Sequence, residues 1–174
     1  MSKSWDGLKL RLWEWAMGES RQELISLAKQ AAGRYNLDPA LVCAIVEQET
    51  EGTWNPLCIR FEPAFLKHYI EPMMTAGKIH AARLVSLSTE EFARAFSWGL
   101  MQVLGEVARE HGFAGVWLSE LLVPKVGLDI GCKVLASKLN ASGGGIEAAL
   151  LLWNGGGNSL YPDQVLARKQ TYES

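Results

Sequence analysis

Glu49 is the residue whose type and place on its helix raise a chemical question. The Asp38-Pro39 pair supplies an N-cap and a first-turn proline, and predicts a helix from Pro39 to about Thr50. At roughly 100° per residue, Leu41, Val42, Ile45 and Val46 form one apolar stripe. Glu47 and Glu51 fall off that stripe on solvated faces, whereas Glu49 falls near its middle, one turn after Ile45 and Val46. A carboxyl group partly withdrawn from water is pushed toward its neutral form. That is the form required of a general acid protonating a leaving oxygen, as in glycosidic bond cleavage. The same residue also reads as the frayed end of the stripe, its carboxylate reaching water past Gly52. Helix position alone leaves both readings open.

Other chemistries find less support. His68, His80 and His111 share no metal-like spacing, so neither a metal nor another cofactor is expected. Cys43, Cys58 and Cys132 are odd in number and widely spaced, without a CxxC pair. They exclude a disulfide scaffold or zinc ribbon and read as buried, reduced thiols.

The elements that must position Glu49 are helical. Trp5, Leu8, Leu12 and Trp15 recur at helical spacing before Gly18, and Ser20 with Glu23 forms a capping box for a helix ending near Gly33. Beyond the Pro39 helix and a loop through Gly52, Asn55 and Pro56, Pro63 starts a helix to Met74, and Ser88 with Glu91 caps another to Ala95. Leu100 to Glu110, Pro124 to Asn140, Ile146 to Trp153 and Tyr161 to about Gln170 complete the set. Triple glycines at 143–145 and 155–157 break the chain on either side of the Trp153 helix. No alternating β-branched run exceeds four residues, so the expectation is one mainly α domain with at most a short β-hairpin. Residues 1–36 read as a helical extension to a core over 38–170.

Composition sets the outer bounds. With 174 residues, 48% hydrophobic and 21% charged, the chain can bury a sizeable core without a staple. A net charge of −2 weighs against nucleic acid as partner. Residues 1–20 carry Trp5, Asp6, Arg11 and Glu14 and no apolar run of signal-peptide length, and no stretch reaches about 18 apolar residues. The expectation is a protein made in, and first retained in, the cytoplasm, and monomeric. The stripe of Trp5, Trp13 and Trp15 with Lys3, Lys9 and Arg11 fits packing onto the domain or contact with a membrane surface.

Four ordered segments resemble one known family. Ala44-Ile45-Val46-Glu47-Gln48-Glu49-Thr50 followed by Trp54-Asn55-Pro56 resembles the first motif of the lytic transglycosylase and goose-type lysozyme superfamily. Ser97-Trp98-Gly99-Leu100-Met101-Gln102-Val103 resembles the second, and Pro124, Leu128, Gly131 and Leu135 the third. Ala148-Ala149-Leu150 through Trp153-Asn154-Gly155-Gly156 resembles the fourth, with Tyr161 and Val165 matching the closing pattern. The resemblance covers about 38–166. Thr50 stands for the commoner Ser, Gly127 for a frequent Asn and Trp153 for the usual Tyr, the last removing the family's phenol from that position. The stretch from Leu57 to Phe96 is longer than the family's usual link, and its Arg60-Phe61-Glu62-Pro63 segment resembles phage and bacterial muramidase-like members.

The resemblance implies a lysozyme-like helical fold and cleavage of the β-1,4 bond between N-acetylmuramic acid and N-acetylglucosamine in peptidoglycan. Glu49 would be the acid, and in a lytic transglycosylase it would then accept the proton of the muramic 6-hydroxyl, giving 1,6-anhydro ends. Ser97, Met101, Gln102, Trp153 and Asn154 would line the saccharide groove, and Tyr161 would hydrogen-bond Glu49. A hydrolytic muramidase would need a second acid, for which Glu62 is the candidate, although Glu62 also reads as the N-cap of the Pro63 helix. Ser97 reads equally as a helix N-cap, and Trp98 and Trp153 as core or as sugar-stacking surfaces. A non-catalytic saccharide-binding domain on the same scaffold is the alternative of a different class. An enzyme of the wall without an export signal suits a phage endolysin released at lysis, or a virion-associated lysin.

Overall fold

A computed structural model describes residues 18–173. The helix expected around Trp5–Trp15, and the tryptophan stripe it carries, lie outside the described residues.

Helix α1 (Arg21–Arg34) starts on the capping box foreseen in the sequence. Ser20 Oγ accepts from Glu23 N at 3.3 Å, and Glu23 Oε2 accepts from Ser20 N at 2.7 Å. Helix α2 (Pro39–Glu49) begins as its two leading residues dictate, with Asp38 Oδ1 accepting from Ala40 N at 2.9 Å. Its burial is wider than a stripe. Every residue from Ala40 to Val46 is buried, because α1 packs against one side of α2 and a late helix, α9 (Tyr161–Lys169), against another. Glu47 is not on a solvated face either. Its carboxylate meets Arg21, Arg168 and the Tyr172 hydroxyl, and its side chain is 19% exposed.

The expected hairpin is a three-stranded antiparallel sheet in the order β1 (Ile59–Phe61), β2 (Phe96–Trp98), β3 (Val103–Leu104). Arg60 pairs with Ser97, and Ser97 with Leu104, so these three share one face. Ile59, Phe61, Phe96 and Trp98 occupy the other, where the Phe61 and Phe96 rings lie 5.0 Å apart and those of Phe96 and Trp98 5.6 Å.

Between β1 and β2 runs the long insertion. Its helical stretch consists of α3 (Pro63–Phe65), a π-helical turn (Leu66–Ile70) and α4 (Glu71–Thr75). The wide turn ends just before Pro72, which has no N–H to donate and whose ring would crowd the His68 carbonyl in a regular helix. Helix α5 (Leu87–Arg94) starts a little earlier than the sequence suggests: its cap is Ser86, whose Oγ accepts from Thr89 N at 3.1 Å, rather than Ser88.

Four charged side chains tie this insertion to the rest. Glu90 on α5 is 1% exposed and accepts from Arg94 Nε at 2.9 Å and Arg109 Nε at 2.8 Å. Arg94 also reaches Glu106 at 2.9 Å on α6 (Gly105–Glu110), and Arg109 Nη1 donates to the carbonyls of Phe113 and Gly115. Every charge in the cluster is met by an opposite charge, the condition for ions away from water.

A 3₁₀ turn (Leu118–Leu122), α7 (Pro124–Ala141) and α8 (Ile146–Trp153) precede α9 and a final 3₁₀ turn (Gln170–Tyr172). The second and third sequence motifs meet where α7 crosses the turn after β2. A Cβ on Gly131 would lie 2.3 Å from Met101 Sδ, and one on Gly127 the same distance from the Leu121 carbonyl oxygen. Gly127 therefore needs to be small where the family often carries Asn. Met101, expected on the groove floor, is instead 1% exposed and sealed beneath Gly131.

Candidate active site

A cleft of about 610 Å³ opens between the C-terminal end of α2, the β1–β2–β3 face, α7 and the end of α8. It gathers Glu49, Glu62, Ser97, Gln102, Trp153, Asn154 and Tyr161, seven of the eight residues singled out from sequence; Met101 lies in the core instead.

Glu49 is the last residue of α2 and is half-buried. Thr50 directly after it spends its hydroxyl on backbone, donating to Val46 O at 2.7 Å and accepting from Trp54 N at 3.1 Å. That clasp fixes the helix end and explains why a hydroxyl residue follows the acid. Both protein donors to Glu49 reach one oxygen: Tyr161 Oη donates to Oε1 at 2.5 Å and Trp153 Nε1 at 3.1 Å. The indole thus supplies a hydrogen bond from the position where the family usually has Tyr. Oε2 receives no hydrogen bond among the described residues and is not sealed from solvent, so it is the oxygen turned to the cleft.

Burial pushes the Glu49 pKa up, and it outweighs Tyr161, Trp153 and the charge of Arg60, all of which pull it down. Burial likewise pushes the Tyr161 hydroxyl far above its usual range, helped by the Glu49 charge and hydrogen bond, so Tyr161 stays a donor throughout. The frayed-end reading of Glu49 does not hold. The carboxyl is anchored by two side chains from α8 and α9.

Glu62 is not a helix cap. Its side chain makes no cap hydrogen bond and turns into the cleft, where Oε1 accepts from Arg60 Nε at 2.5 Å and from Ser97 Oγ at 3.5 Å. Ser97 is no cap either; it is the central residue of β2 and 2% exposed. Sheet register is what joins these groups, since Arg60 lies opposite Ser97.

Gln102 stands at the tight turn into β3 with φ 45°, held by its own amide, which donates to Gly99 O at 2.9 Å and Cys58 O at 3.1 Å. Its Nε2 is thereby occupied, leaving the amide oxygen for a ligand. Asn154 Nδ2 donates to Asn158 O at 3.2 Å and pins the loop that follows α8. Trp98 is core: it is 9% exposed with Nε1 donating to Ala93 O at 2.9 Å. Trp54, 1% exposed, is core as well. Of the three tryptophans near the motifs, Trp153 alone lines the cleft.

Cys43 and Cys132 are buried, and burial pushes their thiols up to about 11 and about 12; Cys58 is half-buried rather than buried. Among the described residues, no three or more His, Cys, Asp and Glu side chains gather as metal ligands, and no helix is long and apolar enough to cross a membrane.

Sequence reasoning missed Arg60 and Lys138 as cleft residues. The alternation Arg60-Phe61-Glu62, polar on one face of a short strand, was the signal for the first. Lys138 shares a helix face with Val134 four residues earlier, a pattern that does not distinguish a cleft wall from ordinary packing.

A protein-family model described as "Transglycosylase SLT domain" matches residues 26–172. Comparison with curated proteins and with solved structures finds no match.

Proposed function

We propose, from the premise that the chain belongs to the transglycosylase SLT family, whose members cleave glycosidic bonds in peptidoglycan, that Glu49 is its single acid–base residue. The carrying observation is the asymmetry of that carboxyl group: among the described residues, two permanent donors on Oε1 and none on Oε2. A proton held on Oε2 by burial passes to the oxygen bridging muramic acid and N-acetylglucosamine. The bond from that oxygen to the muramic C1 breaks, and the leaving sugar departs with a new 4-hydroxyl. Tyr161 and Trp153 stabilise the carboxylate left behind, because their bonds strengthen when Glu49 ionises. The muramic 6-hydroxyl then attacks C1, its proton returns to Glu49, and a 1,6-anhydro end forms without water. Both steps need one carboxyl, since the nucleophile is part of the substrate.

Ser97, the Gln102 amide oxygen, Trp153 and Asn154 contact the glycan in this reading. Glu62 favours the hydrolytic alternative only if it holds water; Arg60 and Ser97 both reach its Oε1, so only Oε2 is open to such a water. The chain acts as a monomer on glycan strands, without nucleic acid or cofactor. For an endolysin role we draw on the Arg60–Pro63 segment, which resembles phage and bacterial muramidase-like members and contributes Arg60 and Glu62 to the cleft. In that role the protein waits in the host cytoplasm until membrane permeabilisation admits it to the wall, and residues 1–17 offer a membrane-surface contact.

Turbidity clearing of purified wall tests the catalytic assignment. Glu49→Gln should lower the rate by about 10²–10⁴-fold; clearing at the parental rate would rule out Glu49 as the acid, and no clearing by the parent protein would leave a saccharide-binding scaffold. Production inside a Gram-negative cell tests the release. Lysis should follow only when the inner membrane is permeabilised, and lysis without it would contradict the endolysin role.

A further inference from the structure

One wall of the cleft carries a cation that the acid–base mechanism does not use. Lys138 extends from α7 beside Val134, and the same wall is completed by Leu104 and Val107 from β3 and α6 and by Leu152 from α8. These elements pack against one another, so Lys138 shares its side of the cleft with the apolar side chains of Leu104, Val107, Val134 and Leu152. Lys138 is half-buried, and its ammonium group makes no hydrogen bond or salt bridge among the described residues. Arg60, also in the cleft, is already paired with Glu62. Burial pulls the Lys138 pKa down, and the charge of Glu110, beyond ion-pair distance, partly opposes this.

A half-withdrawn ammonium without a counter-ion is costly to the free protein, and an incoming anion would relieve that cost. Resting on the peptidoglycan reading, we infer that Lys138 is the anchor for a substrate carboxylate, with Val107, Val134 and Leu152 receiving the methyl groups beside it. Peptidoglycan offers this pairing of methyl and carboxylate in two places. One is the L-alanyl–D-glutamyl start of the stem peptide. The other is the lactyl group of an unsubstituted muramic acid. Lys138 is on this account a specificity residue that selects among strands by the charge they carry next to the sugar.

The test uses the full chain and three sets of glycan oligomers: muramyl groups bearing L-Ala–D-Glu, bearing L-Ala–D-Glu with both glutamyl carboxyl groups amidated, or with free lactate. Wild type should favour a carboxylate-bearing set over the amidated one by about tenfold in kcat/KM. Lys138→Met should remove that preference, Lys138→Arg should keep it, and Lys138→Glu should invert it. A preference confined to the first set identifies the stem carboxylate, and one confined to the third the lactyl carboxylate. Equal ratios for wild type and Lys138→Met across all three sets, with wild type active, would overturn the assignment while leaving the glycosidase reading intact. Failure of wild type to cleave any of the three would overturn the glycosidase reading and this inference with it.

Discussion

Trp153 Nε1 and Glu49 Oε1 stand 3.1 Å apart, joined by a hydrogen bond from a helix 104 residues further along the chain. The contact places an N–H where the family's usual Tyr would offer a hydroxyl, and it leaves room beside it for Tyr161. The two donors lower the Glu49 pKa against the larger upward push of burial. Removing either should therefore raise it further. In Trp153→Phe and Tyr161→Phe the acid form survives to higher pH, and the alkaline limb of the kcat/KM profile moves up. The rate at the optimum falls as well, because the carboxylate formed on proton transfer loses a donor. A limb that stays in place or moves to lower pH would contradict this.

Linkage gives a second expectation, independent of activity. The folded state holds a proton on Glu49 more tightly than the unfolded chain does, because burial raises its pKa. The stability contributed by the neutral carboxyl is thus full below the ordinary glutamate range and is lost as pH rises through the raised value. Gln cannot ionise and keeps an oxygen for Tyr161 and Trp153. Thermal unfolding should show Glu49→Gln gaining on the parent as pH rises from about 4 to about 8. A gap that does not change over that range would show that Glu49 is not withdrawn from water.

The cluster of Glu90, Arg94, Glu106 and Arg109 predicts a large stability effect away from the cleft. Glu90→Ala leaves two arginines without their shared carboxylate and should cost about 3–5 kcal/mol. Denaturant unfolding measures it. A loss below about 1 kcal/mol, the range of exposed pairs, would mean the cluster is wet and its joining of the insertion to the core weak.

What the sequence made legible follows from how local each signal is. Ser20 with Glu23 and Asp38 with Pro39 act within one helical turn, and both caps stand where their spacing puts them. Strands of two and three residues give at most a single alternating triplet, such as Arg60-Phe61-Glu62, too little to reveal the third strand or the pairing of Arg60 with Ser97. Glu62 precedes a helix-starting proline, a strong local cue to a cap, but the ion pair with nearby Arg60 and the contact with distant Ser97 prevail. Glu90 and Arg94 have the i,i+4 spacing of any solvated helix face; only the distant Glu106 and Arg109 make them interior. Glu49 was found because its place on α2 conflicts with its charge, whereas its two donors could be named only by resemblance.

The mass of the muropeptides released from purified wall tests the central claim most directly. If Glu49 both gives and takes back the proton and the 6-hydroxyl is the nucleophile, the products carry 1,6-anhydro ends. They are then lighter by one water than hydrolysis products and have no reducing end. Glu62→Gln should leave that product unchanged, since no second acid is used. Reducing-end products from the parent protein, lost on Glu62→Gln, would contradict the account and assign Glu62 to a hydrolytic water.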